Sequence, residues 1–371
     1  MQSLDNNTQA FLALVRAGLW EQDVRLLPYQ DIKWQEVYRL ATEQSVLGLV
    51  LAGLEHSDVK PPKEFLLQWI GEVQQIEQRN KAMNAFIAEL IEQLRKEDIY
   101  ALLVKGQGIA RCYERPLWRS CGDVDFLLSE DNYVKARTFL NPMADSVEKE
   151  SDKDQGMNFG PWVVEIHGNQ HCGLSARMDS IIDEVQNDIF YRGNVRTWMN
   201  GNTLVFLPSE NNDAIILFTH YLKHFYKGGL GLRQVCDWCR LLWRYKDSLN
   251  HGLLESLIRQ MGLKTEWKAF AALAVNFMGM PKEAMPLYSP SNIWIKKARR
   301  IIPFIIKVGN MGHNRDKNII GRKNFVVRKM TSFCQRVMDF CNHLLIFPID
   351  TIRFFPSIVF NGIRLAAKGI G

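Results

Sequence analysis

The chain has 371 residues, 47% hydrophobic and 23% charged, enough apolar material for two or three globular domains and unlike a disordered or low-complexity polypeptide. Its formal charge of +6 is modest for that length, permitting a nucleic acid, nucleotide or anionic lipid partner without requiring one. The seven scattered cysteines do not form a disulfide framework, and no stretch reaches the roughly 20 uninterrupted apolar residues of a spanning helix. The start Met1-Gln2-Ser3-Leu4-Asp5 lacks the basic and apolar runs of a secretory signal, so a cytoplasmic location is expected.

From Thr8 to about Asp98 the apolar residues recur at helical spacing, as at Leu40, Val46, Leu47, Val50 and Leu51, then Phe86, Leu90, Ile91 and Leu94. This predicts a helical region over 1–98, cut at Pro61-Pro62 because proline opens a helix but does not sit inside one. The texture changes at Ile99-Tyr100-Ala101-Leu102-Leu103-Val104, an apolar run ending at Lys105-Gly106 that suits a buried strand. An α/β domain over 99–207 follows. It is expected to contain a helix over 107–113, a strand over 123–128, a helix capped by Ser129 with Glu130 and Asp131 in its first turn, and a strand over 163–167. Asn200-Gly201 predicts a hairpin turn with positive φ at both central residues. Beyond Pro208 the pattern is helical again, with Ser209 as cap, giving a C-terminal helical region over 208–371.

Residues two apart on a strand share a face, so Asp123 and Asp125 project together while Val124, Phe126 and Leu128 bury the other side. Adjacent carboxylates repel, a cost tolerated on a solvated edge or where a divalent cation lies between them, usually magnesium. Lys105-Gly106, leading from a strand into a helix, offers backbone amides and an ammonium for a phosphate; it is also what any α/β turn looks like. In Val163-Val164-Glu165-Ile166-His167 the third carboxylate, Glu165, shares a face with His167.

These segments together resemble the uncharacterised nucleotidyltransferase family within the DNA polymerase beta-like superfamily. The resemblance runs from Leu103-Val104-Lys105-Gly106-Gln107-Gly108-Ile109-Ala110 through Tyr113, Arg119 and Gly122-Asp123-Val124-Asp125-Phe126-Leu127 to Glu165-Ile166-His167. It continues over 208–242, including His220, His224, Arg233 and Asp237. It implies an α+β fold with a small mixed β-sheet between the helical regions. It also implies magnesium, or manganese in its place, held by Asp123, Asp125 and Glu165, which would carry the catalysis. Gly106 would pack near the triphosphate, although the superfamily usually has Gly-Ser or Gly-Gly where this chain has Gly106-Gln107. The implied reaction moves a nucleoside monophosphate from a nucleoside triphosphate to an acceptor hydroxyl; the alternative is an inactive nucleotide-binding or interaction module of the same fold.

Lys105 and Arg119 are expected to neutralise phosphate charge, though Arg119 could equally pair with Asp123 or Asp125. Gln107, His167, His220, His224 and Arg233 are the other nucleotide-binding candidates. His220 and His224 lie four apart on one helical face, as do Arg233 and Asp237, for which an intrahelical ion pair is the plain explanation. No acidic zinc-protease motif accompanies the histidines, and Cys236-Asp237-Trp238-Cys239 has no second ligand pair at zinc spacing, so no zinc is assigned. From about Ile293 the chain is basic, with Lys296, Lys297, Arg299, Arg300, Lys307, Arg315, Lys317, Arg322, Lys323, Arg328 and Lys329. Such a tail could meet RNA, DNA or an anionic membrane, and the apolar residues of 333–360 add a case for peripheral membrane association; a solvated helix face is the common alternative.

Overall fold

A computed structural model describes residues 4–227, 229–310 and 325–367. Helices α1 (Asn6–Trp20), α2 (Trp34–Glu43), α3 (Leu47–Glu55) and α4 (Lys63–Lys96) build the front region, with Pro62 at the N-cap of α4 as the proline break predicts. The centre comprises β1 (Ala101–Val104), α5 (Gly106–Ala110), β2 (Asp123–Leu128), α6 (Glu130–Leu140), β3 (Ser146–Val147), β4 (Asp154–Phe159), β5 (Trp162–His167), α7 (Ala176–Arg192), β6 (Val195–Asn200) and β7 (Thr203–Pro208). The back region comprises α8 (Glu210–Lys227), α9 (Leu232–Arg244), α10 (His251–Met261), α11 (Lys264–Met278), α12 (Asn292–Val308), α13 (Phe325–Ile346) and α14 (Pro348–Ala367).

The seven strands form one mixed sheet in the order β3-β4-β5-β2-β1-β7-β6, so the α+β architecture with a central mixed sheet is realised. β2 lies antiparallel to β1 and parallel to β5. One face carries Leu103, Val124, Phe126, Val164 and Ile166, which pack on Met83, Ile87, Leu90 and Ile91 of α4 and on Tyr133 and Ala136 of α6. The opposite face carries Leu102, Val104 and Leu127, which join a second core shared by helices of the front and back regions. The acidic residues of β2 and β5 point to this second side, because side chains alternate along a strand.

Two local expectations are corrected. The helix after β1 spans only Gly106–Ala110. In the β6–β7 hairpin Asn200 pairs with Thr203, so the turn is Gly201-Asn202, one residue later than expected, and only Gly201 takes positive φ (+60°). Glycine first and a polar residue second is the sequence of a turn that needs one left-handed residue rather than two.

Of the basic tail, Arg315, Lys317, Arg322 and Lys323 lie outside the described residues, as do the side chains of Arg328 and Lys329. No helix among the described residues is long and apolar enough to cross a membrane.

One buried group makes the fold sensitive to pH. Glu266 of α11 is fully buried, accepts a 3.3 Å hydrogen bond from the Tyr226 hydroxyl and is pushed up to about 8 by burial and then by Asp350. Its folded form holds a proton that the unfolded chain releases near 4.5, so its contribution is complete below that pH and is lost as pH rises to about 8. Glu266→Gln is therefore expected to melt higher than wild type at pH 9 with little difference at pH 4.5, measured by thermal denaturation at the two pH values.

Candidate active site

Cross-strand register brings the acidic residues together. Asp125 sits between Val104 of β1 and Glu165 of β5, Asp123 pairs with Val163 where β2 begins, and Leu127 pairs with His167. On the next strand Asp154 pairs with His167 and Gly156 with Glu165. Asp123, Asp125, Glu165, His167 and Asp154 thus share one face of three adjacent strands.

Asp125 is the centre of the group and is buried. Its Oδ1 accepts a hydrogen bond from Lys105 Nζ at 3.0 Å and lies 2.9 Å from His167 Nε2. The other nitrogen of His167, Nδ1, lies 3.2 Å from Asp154 Oδ1, and Nε2 is 3.6 Å from Glu165 Oε2. Burial opposes the charge on Asp125, but Lys105 and His167 prevail and hold its carboxyl well below the usual range. Lys105 stays protonated although buried, because Asp125, Glu165 and Asp123 surround its ammonium. Glu165 is pushed up to about 7, by burial first and by Asp125 next, and Asp123 is raised chiefly by the charge on Asp125. The face therefore carries more negative charge than Lys105 neutralises.

Asp125, Glu165 and His167 form the one His, Cys, Asp or Glu grouping among the described residues that could hold a metal ion, with one ligand atom of each within 4.8 Å of the others. Asp123 stands outside that grouping but on the same strand face. His167 was expected among the nucleotide-binding residues, and its two nitrogens face the carboxylates of Asp125 and Asp154.

The turn after β1 is shaped by backbone conformation. Lys105 takes φ +56° and Gly106 φ +38°, the left-handed region that favours glycine. A Cβ on Gly106 would come no closer than 3.4 Å to its nearest neighbour, the Asp123 carbonyl oxygen, so the dihedral rather than crowding selects glycine there. The turn sets the Lys105 ammonium on Asp125.

Two expected phosphate ligands are otherwise engaged. Gln107 is buried, and its Nε2 donates to Asn80 Oδ1 of α4 at 2.9 Å. Asn80 Nδ2 in turn donates to the carbonyls of Leu117 and Arg119 at 2.7 and 2.8 Å. Gln107 thus helps to hold the segment before β2 against α4. Arg119 pairs with neither Asp123 nor Asp125. Its guanidinium forks onto Asp237 of α9, Nε to Oδ1 at 2.8 Å and Nη2 to Oδ2 at 2.6 Å, while Tyr113 donates to the same Oδ1 at 2.7 Å. Arg119, Asp237 and Tyr113 are all buried, and a buried guanidinium needs such a two-pronged acceptor.

Asp237 is therefore not paired within its helix. Arg233 instead donates from Nη1 to the Ser120 carbonyl at 2.7 Å, its charge lowers the Asp123 carboxyl, and its buried Nε lacks a hydrogen-bond partner. It remains beside the site with a donor to spare. His220 and His224 lie on α8 with their Nε2 atoms 3.0 Å apart. Burial and Lys105 hold His220 well below the ordinary value, and burial with Lys223 pulls His224 down to about 3. They are a neutral pair at pH 7, sharing one donor and one acceptor. His220 feels the charges of Lys105 and His167, and His224 that of Asp125, so both border the acidic face.

Asp154 is the site residue that sequence reasoning missed. No curated protein and no solved structure matches this chain. The profile of the uncharacterised nucleotidyltransferase family matches residues 30–279, from the front helices through the acidic sheet face to the end of α11. With more than half of its length matched, including every residue of the acidic face, the chain belongs to the uncharacterised nucleotidyltransferase family.

Proposed function

We propose that the protein is a magnesium-dependent nucleotidyltransferase that moves a nucleoside monophosphate from a nucleoside triphosphate to an acceptor hydroxyl. The observation that carries this reading is the direct register of Asp125 with Glu165, with Asp123 two residues earlier on the same strand face.

The donor set suits magnesium. The proposed ligands offer carboxylate oxygens, the hard ligands this ion takes, and the charge on Asp125 helps to raise the carboxyls of Asp123 and, after burial, of Glu165, a repulsion that a cation would relieve. Asp123, Asp125 and Glu165 would hold the ion, with manganese as a substitute. When bound, the metal would neutralise phosphate charge and make the acceptor oxygen a better nucleophile.

The remaining roles belong to side chains already in place. His167 and Asp154 fix the carboxylate of Asp125, as a hydrogen-bonded partner orients a ligand. Lys105 gives one donor to Asp125 and has two more for phosphate oxygens, and Arg233 brings a second cation from α9. In the transfer the acceptor hydroxyl loses its proton to solvent, its oxygen bonds to the α-phosphorus, and the bond from that phosphorus to the bridging oxygen breaks, releasing pyrophosphate.

The test uses nucleoside triphosphates labelled at the α or the γ phosphorus, with magnesium and a panel of sugar phosphates, RNAs and proteins. The α label is expected to reach an acceptor while the γ label leaves in pyrophosphate, with Asp123→Asn slowing transfer by at least about 10²-fold. Transfer of the γ label, or of the α label by Asp123→Asn at the wild-type rate, would sink the reading.

A further inference from the structure

The C-terminal helices have two apolar faces and only one is used. Phe347 joins α13 to α14, and Phe340 and Phe355, on either side of it, have ring centroids 4.6 Å apart, so the helices fold back as a hairpin. The inner side is anchored. Phe347 and Phe354 are fully buried, the His343 ring packs at a tilt against Phe225 and Tyr226, and Arg353 donates to the carbonyls of Gly262 and Met261 at 3.0 and 2.7 Å.

The outer side is also apolar. Leu345 is 65% exposed, Ile349 78%, Ile352 63% and Phe360 68%; on α14, positions 349, 352 and 360 recur at helical spacing and make a stripe. No described part of the chain covers this stripe, and a helix apolar on both faces calls for a partner.

The charges beside the stripe indicate what that partner is. Lys297 and Arg300 of α12 donate to the carbonyls of Ile346 and Leu345, which sets α12 against the hairpin turn. Lys296, Arg299 and Arg300 are exposed on α12, a helix with no acidic residue, and Arg336 is exposed on α13. The only acids of the three helices are Asp339, half-buried, and Asp350, buried. An apolar stripe edged by cations and free of exposed acid matches an anionic bilayer surface, where apolar side chains enter the acyl boundary and cations meet phosphates. Of the stripe residues only Phe360 offers a ring for a base to stack on, so RNA would leave Leu345, Ile349 and Ile352 uncovered.

We propose that the α13–α14 hairpin, with the cationic face of α12, docks the protein on an anionic phospholipid surface and lies along it without crossing. This surface is separate from the acidic sheet face, and the proposal stands whether or not the transfer reaction is the one given above.

The test is flotation of the full chain with vesicles of phosphatidylcholine alone and with vesicles containing phosphatidylglycerol. Binding is expected to the anionic vesicles, weakening as salt rises. Ile349→Glu with Ile352→Glu should weaken it at least about tenfold, and Lys296→Gln roughly fivefold. The substituted positions are exposed, so melting temperatures should match wild type, and Lys296→Gln is an independent check if the double variant does not. Three results would overturn the proposal: equal or absent binding to both vesicles, binding unaffected by the substitutions, or sedimentation showing a dimer that the double variant splits. Binding of a single-stranded RNA in place of vesicles, indifferent to Ile349→Glu and Ile352→Glu, would overturn it as well.

Discussion

Glu165→Gln is expected to lower nucleotidyl transfer by at least about 10²-fold while leaving the fold intact. The two halves of this expectation come from the same environment. Glu165 is half-buried beside Asp125, and its carboxyl is pushed up to about 7, so near neutral pH the folded protein already holds much of it protonated. A neutral amide of the same shape removes repulsion from Asp125 and Asp123. The sign follows from linkage: with the folded value above the ordinary 4.5, wild type loses stability as pH rises from 4.5 to about 7, and the glutamine variant does not. Activity and melting temperature measured at pH 8 should therefore move apart, activity down and stability level or up. An activity loss that tracked unfolding would mean that Glu165 is only structural.

Asp237→Asn is expected to cost about 3–5 kcal/mol of stability, read from the shift in the urea unfolding midpoint. Arg119 and Asp237 exchange two hydrogen bonds in the interior, and removing the carboxylate charge strands a buried guanidinium. Replacing both with apolar residues, Arg119→Met with Asp237→Leu, should cost less than Asp237→Asn alone, because no buried charge remains unpaired. Asp237→Asn should also slow transfer beyond its effect on stability. The segment from Leu117 to Ser120 leads into β2 and is held by Asn80, Asp237 and Arg233, so loosening it shifts Asp123. A double variant less stable than the single one would contradict this view of the pair.

How much of this was legible in the sequence depended on whether local pattern or distant packing decided the outcome. β2 was readable to its end residues, because Asp123 to Leu128 alternates an acidic face with an apolar one and the structure uses both. Glu165 and His167 were readable on one face for the same reason. β4 was not, since Asp154-Gln155-Gly156-Met157-Asn158-Phe159 is largely polar and lies near the edge of the sheet. The bend preceding it puts Asp152 and Lys153 at positive φ, without the glycine that marks such bends, so Asp154 gave no signal. Arg119 and Gln107 failed differently. Their partners, Asp237 and Asn80, are 118 and 27 residues away, while sequence proximity offered Arg119 the closer Asp123 and Asp125. Only the packing of α9 and α4 around the turn after β1 decides between such partners.

The central claim is that the carboxylates of β2 and β5 form one cation-binding centre, and the most direct measurement is a titration with Mn²⁺ across pH, followed by electron paramagnetic resonance. A cation must displace the proton that Glu165 holds, so affinity should rise by up to about tenfold per pH unit below about 7 and level off above it. Glu165→Gln and Asp123→Asn should each weaken the site, the first also flattening the pH dependence. Binding that ignores pH and both substitutions, or no binding at all, would contradict the claim.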